Sequence, residues 1–245
     1  MSIYVFYHIS DLYDYEEVST EQFDKLERSG LLDAADKVFI NQHYSEQSFS
    51  KFKNQLKPYK NIEWLMGSAV KEDYEHSTAV LYQNVAKEST KDFNALYLHQ
   101  KGLTHKHLPS YQAVTAWRHL LDYWNIEQWQ LCDAQLNSGA DTTGCLFTTN
   151  EGMPHYSGTT RWMKASAIQR MVQLKLPSEI GFARQLDNKY DFLFPSWMPY
   201  RLEVEMQVGI NARTANIKMG SVYQNDTYDG YKQVISREQY AIKEL

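Results

Sequence analysis

Apolar positions along the chain fall into short runs separated by stripes at helical spacing. Residues 3–7 (Ile-Tyr-Val-Phe-Tyr) are aromatic and β-branched, stop at His8 and predict a first strand. Phe23 and Leu26 then share one helix face, with Ser19 and Gln22 spaced as a capping box at its start and Gly30 at its close. Residues 38–40 predict a second strand. Phe49, Phe52 and Leu56 predict a helix stopped by Pro58, and residues 62–66 a third strand. A further helix is expected over residues 75–87, with Ser77 and Thr78 in its first turn, where small hydroxyls either cap the helix or meet phosphate oxygens. Strand and helix in alternation are the rhythm of a parallel sheet.

Residues 95–98 (Ala-Leu-Tyr-Leu) are an apolar run too short for a helix, so they predict a strand buried on both faces. The run ends abruptly in His99, Gln100, Lys101 and Gly102. Open α/β sheets bind ligands at the carboxyl ends of their strands, which makes this polar cluster a candidate site. A loop is expected over residues 104–110. Val114, Trp117, Leu121 and Trp124, then Trp129, Cys132 and Leu136, mark two amphipathic helices whose tryptophans belong to the core. Residues 142–147 predict another strand, and His155-Tyr-Ser-Gly158 with Arg161 and Trp162 forms a second polar and aromatic candidate. A helix over residues 165–174 follows. Leu202, Val204, Met206 and Val208 alternate with Arg201, Glu203, Glu205 and Gln207, the pattern of a strand over residues 200–209. The remainder is polar and rich in tyrosine. With no repeat or linker in view, residues 1–210 are taken as one domain and 211–245 as a C-terminal extension packed on it.

Composition narrows the chemistry. In 245 residues, 18 are Tyr and 6 Trp, an excess of amphipathic rings that suits a cleft for rings or sugars. A net charge of −5 argues against nucleic-acid binding, so an anionic ligand would be met by a few placed basic groups. Cys132 and Cys145 read as reduced core residues of a cytosolic protein. The amino terminus lacks the pattern of a signal peptide, and no apolar run is long enough to cross a bilayer, so the chain is expected in the cytoplasm, at most peripheral to a membrane. Neither the dinucleotide-binding nor the P-loop glycine pattern is present, and Ser157 lacks the first glycine of a nucleophile elbow.

Residues 3–8, Ser29-Gly-Leu31, Tyr97-Leu-His-Gln-Lys-Gly102, Trp117-Arg118 with Tyr123-Trp124, His155-Tyr-Ser-Gly158 with Trp162, and Arg201 with Glu205 form an ordered series. It resembles a family of small glycosyltransferase-like proteins from bacterial surface-polysaccharide loci, phages and large DNA viruses, over roughly residues 1–210. The resemblance implies an α/β, GT-A-like fold: a nucleotide-sugar-binding domain with a mixed, mostly parallel central sheet flanked by helices. It implies transfer of a sugar from a nucleotide-diphosphate donor, expected to be a UDP-sugar, to a glycan acceptor.

On that footing His8, His99, Lys101, Gly102, His155, Ser157 and Gly158 are the expected donor-binding residues, and Glu205 and Arg201 the catalytic ones. GT-A enzymes usually carry an Asp-x-Asp motif for Mn or Mg, and the matching position here reads His99-Gln100-Lys101. The metal requirement therefore stays open, with His99 and His155 as the candidate ligands. Two alternatives also stay open: a nucleotide-sugar or glycan-binding domain without turnover, and a metal hydrolase built on His99, His105, His107 and His155.

Overall fold

The computed structural model describes residues 1–13, 15–43, 59–68, 73, 75–149, 154–174 and 203–243. In chain order the elements are β1 (Ser2–Ser10), α1 (Tyr15–Arg28), α2 (Leu31–Ala34), β2 (Lys37–His43), β3 (Ile62–Met66), α3 (His76–Glu88) and β4 (Phe93–His99). They continue as α4 (Tyr111–Asp122), a π-helical turn (Tyr123–Glu127), α5 (Trp129–Asn137), β5 (Thr142–Thr143), β6 (Phe147–Thr148), β7 (His155–Tyr156), β8 (Arg161–Lys164), α6 (Ala165–Arg170), α7 (Glu203–Thr214) and α8 (Arg237–Tyr240).

Among the described residues six strands form one sheet in the order β3-β2-β1-β4-β8-β5, and β6 pairs with β7 apart from it. β1, β2, β3 and β4 are mutually parallel, while β8 runs antiparallel to β4, and β5 antiparallel to β8. The fold is thus a mixed, mostly parallel sheet with helices on both faces. Alternate side chains of each strand serve the two layers. Val5, Tyr7, Ile9, Leu96, Leu98 and Trp162 pack with α1, α2 and α5, whereas Phe6, Phe39, Ala95, Tyr97 and Met163 pack with α3, α6 and α7. That double cover explains why β1 and β4 are continuous apolar runs rather than half-polar ones. A third cluster gathers Trp117, Leu120, Leu121, Trp124, Cys145 and Tyr240 around α4. Both cysteines are free and buried, and burial pushes the Cys145 thiol up to about 12. No helix among the described residues is long and apolar enough to cross a membrane.

Four expectations need correction. Residues 203–214 form the helix α7, not a strand, and its buried positions Val204, Gln207, Val208 and Asn211 follow helical spacing. The alternation misled because Gln207, polar and placed on the outer face, is fully buried. Asn211 accepts from the Val172 N–H at 2.8 Å, and Arg161 reaches the Val204 carbonyl at 2.9 Å and the Gln207 amide oxygen at 3.5 Å. Ser19 and Gln22 do not cap α1, which begins at Tyr15; both lie inside it, fully buried and hydrogen-bonded. The strand expected over 142–147 is broken between β5 and β6, where Leu146 takes a positive φ of 54°. The helix expected to reach residue 174 stops at Arg170, because the Leu174 N–H is taken by the Gln83 side chain at 2.7 Å instead of a helical carbonyl. The helix expected over 49–56 lies outside the described residues. α7 runs across residue 210, the boundary assigned to the C-terminal extension.

Trp162 joins the sheet to α4's end, since it is fully buried in β8 and its indole N–H donates to the Asn125 carbonyl at 2.9 Å. Trp162→Phe removes both volume and that hydrogen bond, so urea unfolding should show a loss of about 2–3 kcal/mol with an unchanged m-value. A loss below about 0.5 kcal/mol would show the junction to be dispensable.

Candidate functional site

β1 is the strand at which the order of the parallel strands reverses, with β2 on one side and β4 on the other. At such a switch point the flanking loops diverge and leave a crevice beyond the carboxyl ends. His8 stands in register with Asn41 of β2 and His99 of β4, so the three form a row along that rim on the face covered by α3. The first turn of α3 seats on the row. His8 Nδ1 lies 2.9 Å from the Thr78 hydroxyl, and Asn41 Nδ2 donates to Thr78 at 2.9 Å and to Ser77 at 3.1 Å. Both hydroxyls therefore tie the helix to the strands rather than cap it.

Glu75, just before α3, brings a carboxylate to the same rim. Its Oε1 is 3.8 Å from His99 Nε2, and its Oε2 accepts from the Tyr97 hydroxyl at 3.1 Å. Burial, with the Glu205 carboxylate nearby adding repulsion against the opposing pull of Lys101, raises Glu75 to about 7. Burial, followed by the repulsion of Lys101, lowers His99 to about 3, so this imidazole is neutral at physiological pH. Its Nδ1 is buried and has no hydrogen-bond partner among the described residues. Arg161, 1% exposed, lies 5.5 Å over the Tyr97 ring and donates to the Thr159 and Val204 carbonyls.

After His99 the chain leaves the sheet in a tightly specified turn. Gln100 takes the Ser10 N–H at 2.9 Å and donates to the Tyr15 carbonyl and the Ser19 hydroxyl. Gly102 has φ 93°, and a Cβ there would lie 2.5 Å from Val114 Cγ1. The Lys101 carbonyl accepts from Arg118 at 3.1 Å, and the His99 carbonyl from Gln22 at 3.2 Å. Gln22 also donates to Asp122 at 2.8 Å and accepts from Tyr7 at 2.6 Å, while Lys25 meets Asp122 at 2.9 Å and Glu21 at 2.6 Å. Lys101 Nζ lies 4.2 Å over the Trp117 ring.

The His155 stretch approaches from the other side. His155 is buried in β7, opposite Thr148, and the Ser157 N–H donates to the Leu146 carbonyl at 3.1 Å. Gly158 has φ 97°, sits against Leu121 and Trp117, and its N–H donates to Glu205 Oε1 at 2.7 Å. The structure thus gathers His8, His99, Lys101, Gly102, Gly158 and Glu205 around the rim; Ser157 and His155 precede Gly158 in the turn and ribbon beside it. Arg201 lies outside the described residues. Sequence reasoning missed Glu75 and assigned no separate role to Arg161 or to the indole under Lys101. Glu75 had no signal beyond its place at a helix start, while Trp117 and Arg161 lay inside stretches already singled out.

Among the described residues no three His, Cys, Asp or Glu side chains are placed to hold a metal ion. His105 Nδ1 is engaged with the Ser110 hydroxyl at 2.9 Å and His107 meets the Tyr13 ring, so neither joins His99. The described residues at the Asp-x-Asp position do not fit Mn or Mg, with Gln100 tied to the backbone and Lys101 a cation. A separate cavity of about 490 Å³ opens between α1, α4 and residues 234–240. Its charges neutralise one another, with Glu21 paired to Lys25 and His119, and Arg237 to Glu127.

No protein-family model matches the chain, and no curated protein matches it. Similar solved structures include HddC from Yersinia pseudotuberculosis, 10% identical with 91% of each chain covered and a TM-score of 0.45. Another is 4-diphosphocytidyl-2C-methyl-D-erythritol synthase, 10% identical with 97% of this chain and 94% of that one covered and a TM-score of 0.46.

Asp122 is 1% exposed and anchors both Gln22 and Lys25. Asp122→Ala removes one of the two acceptors of a buried amide and of a largely buried ammonium, which keep the His99 carbonyl and Glu21, and should cost about 1–3 kcal/mol in urea unfolding. Asp122→Asn keeps an acceptor for Gln22 and should cost less; equal losses would mean that the ion pair alone matters.

Proposed function

We propose that the chain is a glycosyltransferase that moves a sugar from a nucleoside-diphosphate donor, with UDP as the expected nucleotide, to a hydroxyl of a glycan acceptor. The observation that carries this reading is the meeting of Lys101, neutral His99 and the Glu75 carboxylate at the switch point of the sheet. The resemblance over residues 1–210 supports the same reading.

When the bond between the anomeric carbon and the diphosphate oxygen breaks, negative charge gathers on the leaving group and must be met by fixed positive charge or N–H donors. Lys101 is the cation proposed for that task, and His99, with His8 beside it, the neutral donor. Gly102, Ser157 and Gly158 shape the turns around the donor, with His155 behind them. The acceptor hydroxyl must lose its proton as its oxygen attacks. Glu75 is the proposed proton acceptor, because a carboxylate held near 7 is ionised often enough to accept and basic enough to help. Glu205, whose Oε1 holds the Gly158 N–H, is then proposed to fix that turn and to keep Glu75 basic through repulsion. Arg201 remains a proposed partner of the leaving group. No step is routed through a metal ion. The cytoplasm is the proposed place of this reaction.

Calorimetry with UDP and a panel of UDP-sugars, with and without Mn²⁺, tests the reading, followed by detection of transferred sugar. Lys101→Ala should weaken UDP binding by about tenfold or more. Glu75→Gln should leave UDP affinity within about twofold and lower turnover by about 10²–10⁴. Absence of UDP-sugar binding in the wild type overturns the proposal, and binding without transfer converts it into the non-catalytic alternative.

The pH profile carries a sign. A base must be deprotonated to act, so kcat should rise as pH passes upward through about 7, where Glu75 ionises. Glu75→Gln should flatten that limb. A rise that survives the substitution would assign the titration to another group.

A further inference from the structure

Residues 228–233 belong to the C-terminal extension, yet they lie against the rim. Gly230 approaches the Trp117 indole so closely that a Cβ would stand 2.3 Å from Cδ2. The next residue, Tyr231, meets the same indole edge-on with centroids 5.2 Å apart, and the His105 ring at 5.5 Å. Lys101 Nζ lies beside both aromatic rings, 4.2 Å from the indole centroid and 5.8 Å from the phenol centroid. The segment is fixed locally: Asp229 accepts from the Tyr231 N–H at 3.0 Å and pairs with Lys232 at 3.0 Å.

Aromatic faces stabilise an ammonium without neutralising it. A carboxylate in the same place would cancel the charge, and among the described residues none forms an ion pair with Lys101. The indole adds a second unmet group. Trp117 is 3% exposed and its Nε1–H has no acceptor among the described residues, on the edge of the ring that faces Gly158. A full cation and a spare N–H donor thus share one indole, beside a turn already proposed to shape the donor site.

We propose that Lys101, Trp117 and Tyr231 form a phosphoanion subsite, in which Tyr231 is a positioning residue that holds the Lys101 ammonium toward the diphosphate of the ligand. The choice of diphosphate rests on the transferase reading; the subsite itself needs only an anion. The C-terminal extension is then part of the binding machinery rather than a cover for α4.

Calorimetry with inorganic pyrophosphate and with UDP, on the full chain, tests this. Tyr231→Phe keeps the ring and should bind both within about twofold of wild type. Tyr231→Ala should weaken both by about five- to thirty-fold, with the thermal midpoint nearly unmoved because the ring is 49% exposed. In a Lys101→Ala background the same change should cost nothing further, since the ring acts through the lysine. The proposal falls if wild type does not bind pyrophosphate, if Tyr231→Ala binds as wild type, if Tyr231→Phe is as weak as Tyr231→Ala, or if the two losses add. Pyrophosphate binding in the expected pattern without sugar transfer would sink the transferase reading alone. Transfer and UDP binding untouched by Tyr231→Ala would sink this subsite alone.

Discussion

One stripe of α4 bears on every segment of the site. Val114, Trp117 and Leu121 stand at positions i, i+3 and i+7, and a glycine from a different part of the chain is pressed on each. Gly102 meets Val114, Gly230 meets Trp117 and Gly158 meets Leu121, each with room for a hydrogen but not for a methyl group. A helix can act as a post in this way because side chains at that spacing project from one face and their backbone is already satisfied internally. Three loops that share no hydrogen-bonding ladder are thereby brought to a common distance from one rigid element. Lys101, Tyr231 and the Gly158 N–H owe their proximity to this arrangement rather than to the sheet, which supplies His8, Asn41, Tyr97, His99 and Arg161.

The post needs a footing, and polar groups supply it. Carbonyl oxygens of a strand that has just left the sheet would be buried without partners, at a cost of about 1–3 kcal/mol each. Gln22 and Arg118 take those of His99 and Lys101, and Asp122, Lys25 and Glu21 hold Gln22 and Arg118 in turn. This network joins α1, α4 and the end of β4, so the backbone that carries the site is fixed before any ligand arrives. Electrostatics follow from the same burial. With the charged members paired below, the rim keeps a neutral histidine, a carboxylate raised to about 7 and a lysine without an ion-pair partner among the described residues. These forms suit a reaction that moves a proton and leaves a charge behind.

Much of this was legible in the chain. The abrupt end of the apolar run at His99, the turn at Gly102 and the stripe of Val114, Trp117 and Leu121 were plain, because local pattern decides them. What escaped notice shares one physical cause: polar or aromatic side chains that act across the fold. Gln22 read as a cap because its partners His99 and Asp122 are 77 and 100 residues away. Gln207 read as the solvent face of a strand because nothing local announces that Arg161 reaches its amide oxygen. Trp117 read as core, and it is buried, yet a buried ring still presents a face to a cation. Tyr231 lay in a stretch without periodicity, since its place is set by Gly230 against a helix over a hundred residues earlier rather than by any element of its own. Burial and function were treated as alternatives for such residues. In the proposed site they coincide, because groups that act as fixed charges and N–H donors are held in position by the same packing that hides them from water.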